Sequence, residues 1–177
     1  MTNQNSKRTK LKKNLWLSKG FTFIEIIVAI LVMAVGIVGV YAIVPRIISL
    51  TAINTNRFIA SQLAREGIEI VRNMRDTNWL KRVPWDEGLT NCSTGCEIDY
   101  DDASFTPWVE PGRYLRINSN GFYNYDPVSA TNSETKFKRK ITITKNGDIL
   151  NVKVEVIWPG KGSPFEVEEN LANWLIQ

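Results

Sequence analysis

Nineteen consecutive residues, Ile26 to Val44, carry no charge and read Ile-Ile-Val-Ala-Ile-Leu-Val-Met-Ala-Val-Gly-Ile-Val-Gly-Val-Tyr-Ala-Ile-Val. As a helix rising about 1.5 Å per residue, such a run spans about 28 Å, close to one bilayer hydrocarbon core. A buried helix of a soluble protein is one competing reading, but such helices seldom run this far without a polar face. A cleaved secretory signal is another, with Val40-Tyr41-Ala42 as a passable cut sequence. Its apolar region would be about 7–15 residues, shorter than the run found here. A membrane-spanning helix is therefore expected.

The charge distribution orients that helix. Lys7, Arg8, Lys10, Lys12, Lys13 and Lys19 precede it with no acid among the first twenty residues. The whole chain of 177 residues has 22 basic and 18 acidic side chains, a net charge of +4. Without the six basic residues of the N-terminal arm, the balance is −2. A basic flank stays cytoplasmic, so the chain beyond Pro45 is expected outside. Between Asp86 and Glu110 there are seven acids and no base, so no nucleic-acid surface is expected there. The chain contains no histidine. That excludes Ser-His-Asp and Cys-His nucleophile systems, imidazole bases and His-containing zinc sites. Two cysteines cannot supply four metal ligands. No catalytic residues, no metal site and no cofactor are expected, and the chain is read as a non-enzyme.

The junction reads Ser18-Lys19-Gly20-Phe21-Thr22-Phe23-Ile24-Glu25 and leads straight into the apolar run. A carboxylate at the edge of a membrane helix is costly unless paired, which makes Glu25 a functional candidate. The plainer account is that Glu25 reaches the interface, where the helix dipole stabilises an anion by about 0.3–1 kcal/mol. The string resembles the type IV prepilin family, which includes pilins and the pseudopilins of type II secretion. The resemblance implies a leader Met1–Gly20, cleavage of the Gly20–Phe21 bond by an inner-membrane prepilin peptidase, and N-methylation of Phe21. Glycine before the cut lets the backbone enter a crowded site. The resemblance also implies that Glu25 pairs with the N-terminal amine of a neighbouring subunit. Such a buried ion pair sets register more than it adds stability. The implied partners are the peptidase, other pilin or pseudopilin subunits, an inner-membrane assembly platform and membrane lipid. Nucleic acid is not an expected partner. The implied location is the cytoplasmic membrane, N-terminus in, followed by an extracellular pilus or a periplasmic pseudopilus.

Beyond the membrane segment the helix is expected to continue to about Thr77, with weak points at Gly36, Gly39 and Pro45. Ala60, Leu63, Gly67, Ile70 and Met74 recur at helical spacing and form a candidate core face. Arg57, Arg65, Glu66, Glu69, Arg72 and Arg75 are expected on other faces, with Arg65–Glu69 and Glu69–Arg72 at pairing distance. The stretch Gln62–Asn73 is similar to the second half of the long helix in minor pilins of the type IV pilus modification class. Cys92-Ser93-Thr94-Gly95-Cys96 is read as a local disulfide in an oxidising compartment, with Gly95 supplying the tight turn. Glu97-Ile98-Asp99-Tyr100-Asp101-Asp102 is a candidate calcium loop, with a solvated acidic loop as the preferred reading.

The last third reads as antiparallel β. Strands are expected at Arg113–Asn118, Phe122–Tyr125 and Lys136–Thr144, then through Val152, Val154, Val156 and Trp158, with a closing segment from Phe165. Asn146-Gly147 marks a hairpin. Lys136-Phe137-Lys138-Arg139-Lys140 is a possible anion site, with a charged strand that blocks edge pairing preferred. Trp79, Trp85, Trp108 and Tyr123 are candidate exposed aromatics, with packing the preferred role.

The expected fold is α+β and pilin-like, a long N-terminal helix packed on an antiparallel sheet. Its parts are a leader at 1–20, a transmembrane and assembly half-helix at 21–44, and an amphipathic outer half at 45–80. An acidic loop follows at 81–111 and the sheet at 112–177. The expected function is that of a minor pilin. A type II secretion pseudopilin is the nearest alternative, and a membrane-anchored binding module that never assembles is the alternative of another class.

Overall fold

The computed structural model describes residues 20–127, 129 and 131–174, so the N-terminal arm up to Lys19, and with it most of the expected leader, lies outside the described residues. The chain divides into two compact units, Met1–Arg46 and Ile47–Gln177. Helix α1, Phe23–Lys81, contributes to both.

In the first unit every described residue is exposed. Ile24, Ile30, Val32 and Met33 are each more than half exposed, and they point in different directions round the helix. A helix that is apolar on all sides satisfies its backbone internally and needs an apolar surrounding for its side chains.

In the second unit the helix buries Ala60, Leu63, Ala64, Gly67, Ile68, Val71, Arg75 and Trp79. These positions follow steps of three and four and make one stripe. The expected face is right for Ala60, Leu63 and Gly67. Ile70 and Met74 are only half-buried, because the stripe continues through Ile68 and Val71 instead. Arg75, expected among the outer charges, is buried. Its guanidinium lies 4.6 Å over the Trp79 ring, pairs with Asp76 at 2.9 Å and donates to the Ala172 carbonyl at 3.3 Å. The Glu69–Arg72 pair forms, and Arg72 also pairs with Glu169. The helix runs a turn past Thr77. It stops where Arg82 adopts a left-handed backbone with φ 56°, two residues before Pro84.

Among the described residues eight short or medium strands follow. They are β1 (Cys96–Glu97), β2 (Thr106–Pro107), β3 (Arg116–Asn118), β4 (Tyr123–Asn124), β5 (Asn132–Glu134), β6 (Lys138–Asn146), β7 (Ile149–Ile157) and β8 (Phe165–Ala172). They form a five-stranded sheet in the order β2-β1-β6-β7-β8 and a three-stranded sheet in the order β4-β3-β5. All recorded pairings of these strands are antiparallel. The single expected sheet is thus two sheets, and β1 and β2 lie within the stretch read as loop.

The β6–β7 hairpin pairs Asn146 with Ile149, so its two-residue turn is Gly147-Asp148. The hairpin signal is right and its turn sits one residue later than Asn146-Gly147. Gly147 at φ 59° supplies the positive φ that a type II′ turn needs at its first central position. Arg139, Ile141 and Ile143 on β6 and Leu150, Val152, Val154 and Val156 on β7 face inward. A Cβ on Gly67 would stand 3.0 Å from a Val154 methyl and 3.2 Å from Arg139 Cδ. Glycine there allows the sheet to approach the helix closely. Each aliphatic side chain buried in this layer contributes about 1.5–3 kcal/mol.

Candidate processing and assembly site

Gly20, Phe21 and Thr22 precede α1, and Glu25 falls in its first turn. The Glu25 N–H donates to Thr22 Oγ1 at 3.3 Å and to the Thr22 carbonyl at 3.1 Å, and the Ile26 N–H donates to the same carbonyl at 3.2 Å. Thr22 is therefore the N-cap, and its hydroxyl serves one of the four amides that a helix start leaves unpaired. The helix begins two residues after Phe21 rather than at it. Thr22 was not among the expected site residues, although its Thr-x-x-Glu spacing is the sequence mark of a capping box.

The Phe21 and Phe23 rings are 79 % and 80 % exposed. Among the described residues the Glu25 carboxylate accepts no hydrogen bond and makes no ion pair. Its place in the first turn lets the helix dipole favour the anion. Gly20 and Phe21 thus lie just before the start of α1 and Glu25 in its first turn. Further along, Gly36 and Gly39 have open space where a Cβ would stand, leaving a shallow notch beside Ile37, Val40 and Tyr41. Small residues of this kind let a second helix approach in lipid.

The second unit holds the other expected site. Cys92 and Cys96 are bonded to each other, with Cα atoms 5.5 Å apart, and both are buried in the main core. Gly95 between them has φ 108°. The acidic segment after them is the solvated loop expected only at Tyr100, Asp101 and Asp102, which are exposed. Glu97 and Asp99 are buried, 2 % and 4 % exposed. Glu97 accepts the Arg113 N–H at 2.8 Å and pairs with its guanidinium at 2.5 Å. Asp99 accepts the Tyr125 N–H at 2.8 Å, and Asp102 accepts the Asp99 N–H at 3.1 Å.

The chemistry of this loop follows from crowding of its acids. Asp101 is raised above the usual carboxylate range by its hydrogen bond to Asp99 and by loss of water. Asp102 is raised mainly by loss of water, with the Asp99 charge adding to the shift. Burial pushes the Tyr125 phenol up as well. Among the described residues no group of three or more His, Cys, Asp and Glu side chains is placed to hold a metal ion. Of the candidate exposed aromatics, Trp79 is buried and Trp85, Trp108 and Tyr123 are half-buried.

The family model of the prokaryotic N-terminal methylation motif matches residues 17–41. That match spans the junction, Glu25 and most of the apolar run, and it marks the chain as a type IV prepilin-like protein of the pilin and pseudopilin type. The architecture fits, with an α+β second unit and a long helix that is apolar in its first half. No curated protein and no solved structure matches the chain.

Proposed function

We propose that this chain is a minor pilin, a structural subunit that is processed at its N-terminus and assembled into a type IV pilus through α1. The carrying observation is the pairing of the methylation motif with a helix start at which Glu25 is exposed and, among the described residues, unpaired. In this reading a prepilin peptidase cuts between Gly20 and Phe21, and the new amine of Phe21 is methylated. Only Phe21 stands between the cut bond and the N-cap Thr22, and the bond lies outside helical hydrogen bonding. Extended backbone is what a protease cleft needs. Residues up to Gly20 are the cytoplasmic leader, 21–44 span the membrane, and the second unit faces away from the cytoplasm.

Assembly follows from the same parts. A carboxylate at the edge of an apolar helix favours a cationic partner, since leaving it alone in lipid costs more. The methylated amine of a neighbouring subunit is such a partner. The helix-packing energy comes from the apolar sides, and the ion pair selects the register. The Gln62–Asn73 stretch favours a minor subunit over a major one.

Mass spectrometry of the protein from its native membrane tests the reading. The expected N-terminal peptide begins with a methylated Phe21. An intact N-terminus retaining Lys19 and Gly20 sinks it and leaves a plain membrane-anchored binding module.

A further inference from the structure

The five-stranded sheet ends on β2 at one side and on β8 at the other. The β2 edge is two residues long and carries Pro107, so it offers little to a further strand. The β8 edge runs eight residues, Phe165–Ala172, without proline or glycine. The basic run Lys136–Lys140, expected to guard an edge, falls at the start of the central strand β6, and its Arg139 is fully buried.

The register fixes which backbone groups of β8 are free. The Asn173 N–H donates to the Asp148 carbonyl at 2.8 Å, one step beyond the paired residues Ile149 and Ala172. Bonded and non-bonded pairs alternate along an antiparallel ladder. Phe165, Val167, Glu169 and Leu171 therefore exchange hydrogen bonds with β7. Glu166, Glu168 and Asn170 turn their N–H and C=O groups the other way, along the edge. Ala172 is next in that series, and its outward carbonyl accepts from the Arg75 guanidinium, as this phase requires. Among the described residues no strand meets β8 on this side.

The side chains along the edge differ between its two faces. On one face Glu166 and Glu168 are exposed. With Glu155, the neighbour of Glu166 on β7, they make three acids against one base, Lys153, which stands 3.5 Å from Glu155 and 3.0 Å from Glu166. On the other face Val167 and Glu169 overhang a groove walled by Gln62, Arg65 and Glu69 of α1, beside the buried Ile68. Its acids are matched there, since Arg72 pairs with both Glu69 and Glu169.

We propose that the β8 edge takes an extended segment of a different protein as a further strand, one that alternates basic and apolar side chains. Its backbone pairs with Glu166, Glu168 and Asn170. Its basic row meets the acidic face, and its apolar row covers the groove beside Val167 and Ile68. The β8 strand of a second copy is disfavoured, because it sets glutamates against glutamates. A nucleic acid or an anionic membrane is repelled by the same acids and has no strand to complete the ladder. The contact uses the second unit alone and holds whether or not the chain enters a filament.

The test titrates a short labelled peptide that alternates lysine with valine into the full chain in nonionic detergent, followed by fluorescence anisotropy. Saturable binding is expected, and a peptide with glutamate in place of lysine should not bind. In an added strand only alternate residues turn their amides to β8. N-methylation of one set, the lysines or the valines, should therefore abolish binding, and N-methylation of the other set should leave it unchanged. Glu168→Lys, at an exposed position, should weaken binding about tenfold. Absence of saturable binding, or binding that both N-methylated peptides retain or both lose, overturns the added strand. Binding that Glu168→Lys leaves unchanged overturns the charge match and the choice of a basic partner.

Discussion

Arg139 of β6 and Glu66 of α1 form a charge pair at 3.3 Å in which the arginine is fully buried and the glutamate is half-buried. The same guanidinium donates to the Leu63 carbonyl at 3.2 Å and to the Ile98 carbonyl at 2.7 Å. One side chain thereby joins the helix, the central strand and the acidic segment. A charge buried this far is tolerated only with partners on several sides, since water is excluded.

Arg139→Ala should destabilise the second unit by about 3–5 kcal/mol, because it leaves the Ile98 carbonyl and Glu66 without this donor and opens a cavity. Arg139→Met keeps most of the volume, and paired with Glu66→Gln it should recover part of that loss. Denaturant unfolding of the full chain in detergent micelles, followed by tryptophan fluorescence, measures both. An Arg139→Ala protein as stable as wild type would falsify the clamp.

The disulfide gives a separate expectation. Joining Cys92 to Cys96 closes a very short loop, for which chain-entropy arguments give about 2 kcal/mol. Replacing both by serine should cost at least that, because both sulfurs sit in the apolar core. Mild reductant should leave the folded protein bonded and react only after unfolding. Thiol labelling with and without denaturant reads this, and rapid labelling of the native protein contradicts the buried placement.

Different parts of the molecule were legible to different degrees, for physical reasons. The apolar run and Lys19–Glu25 were readable because membrane length and a local motif are properties of contiguous sequence. β6, β7 and β8 were readable because Ile141, Ile143, Val152, Val154 and Val156 alternate with polar residues. β1, β2 and β5 were not, since strands of two or three residues have no period and Asn132-Ser133-Glu134 is polar throughout. The burial of Arg75, Glu97, Asp99 and Arg139 was hidden too. Charged residues read as surface until their long-range partners are known, and those partners lie far away in sequence, such as Ala172 for Arg75 and Leu63 for Arg139.

Acidity of the loop yields a pH dependence. Loss of water holds Asp102 above the usual carboxylate range in the folded protein, with Asp99 adding to it. A raised carboxyl favours the folded state most when it is protonated. Its contribution is complete below the unfolded value, about 3.9, and is lost as pH rises through the higher folded value. Asp102→Asn keeps an oxygen to accept the Asp99 N–H and cannot ionise. The variant should therefore melt higher than wild type at neutral pH, and the gap should close as pH falls below about 4. A gap that widens in acid has the wrong sign and refutes the assignment.

Glu25 carries the final prediction. Its amide is already satisfied by the cap, so the carboxylate is not needed to start the helix. Glu25→Gln should therefore leave α1 and cleavage at Gly20 intact, while removing the anion that a neighbouring N-terminal amine would meet. Loss of a charge-assisted bond of about 1.5–3 kcal/mol corresponds to a drop in incorporation of roughly tenfold to a hundredfold. Glu25→Asp, with a shorter reach, should fall between. The ratio of mature protein in the sheared filament fraction to that in the membrane reads incorporation directly. The size of the mature chain reads cleavage in the same samples. If Glu25→Gln enters filaments as wild type does, the carboxylate is an interfacial group stabilised by the helix dipole alone, and register must come from the apolar helix contacts.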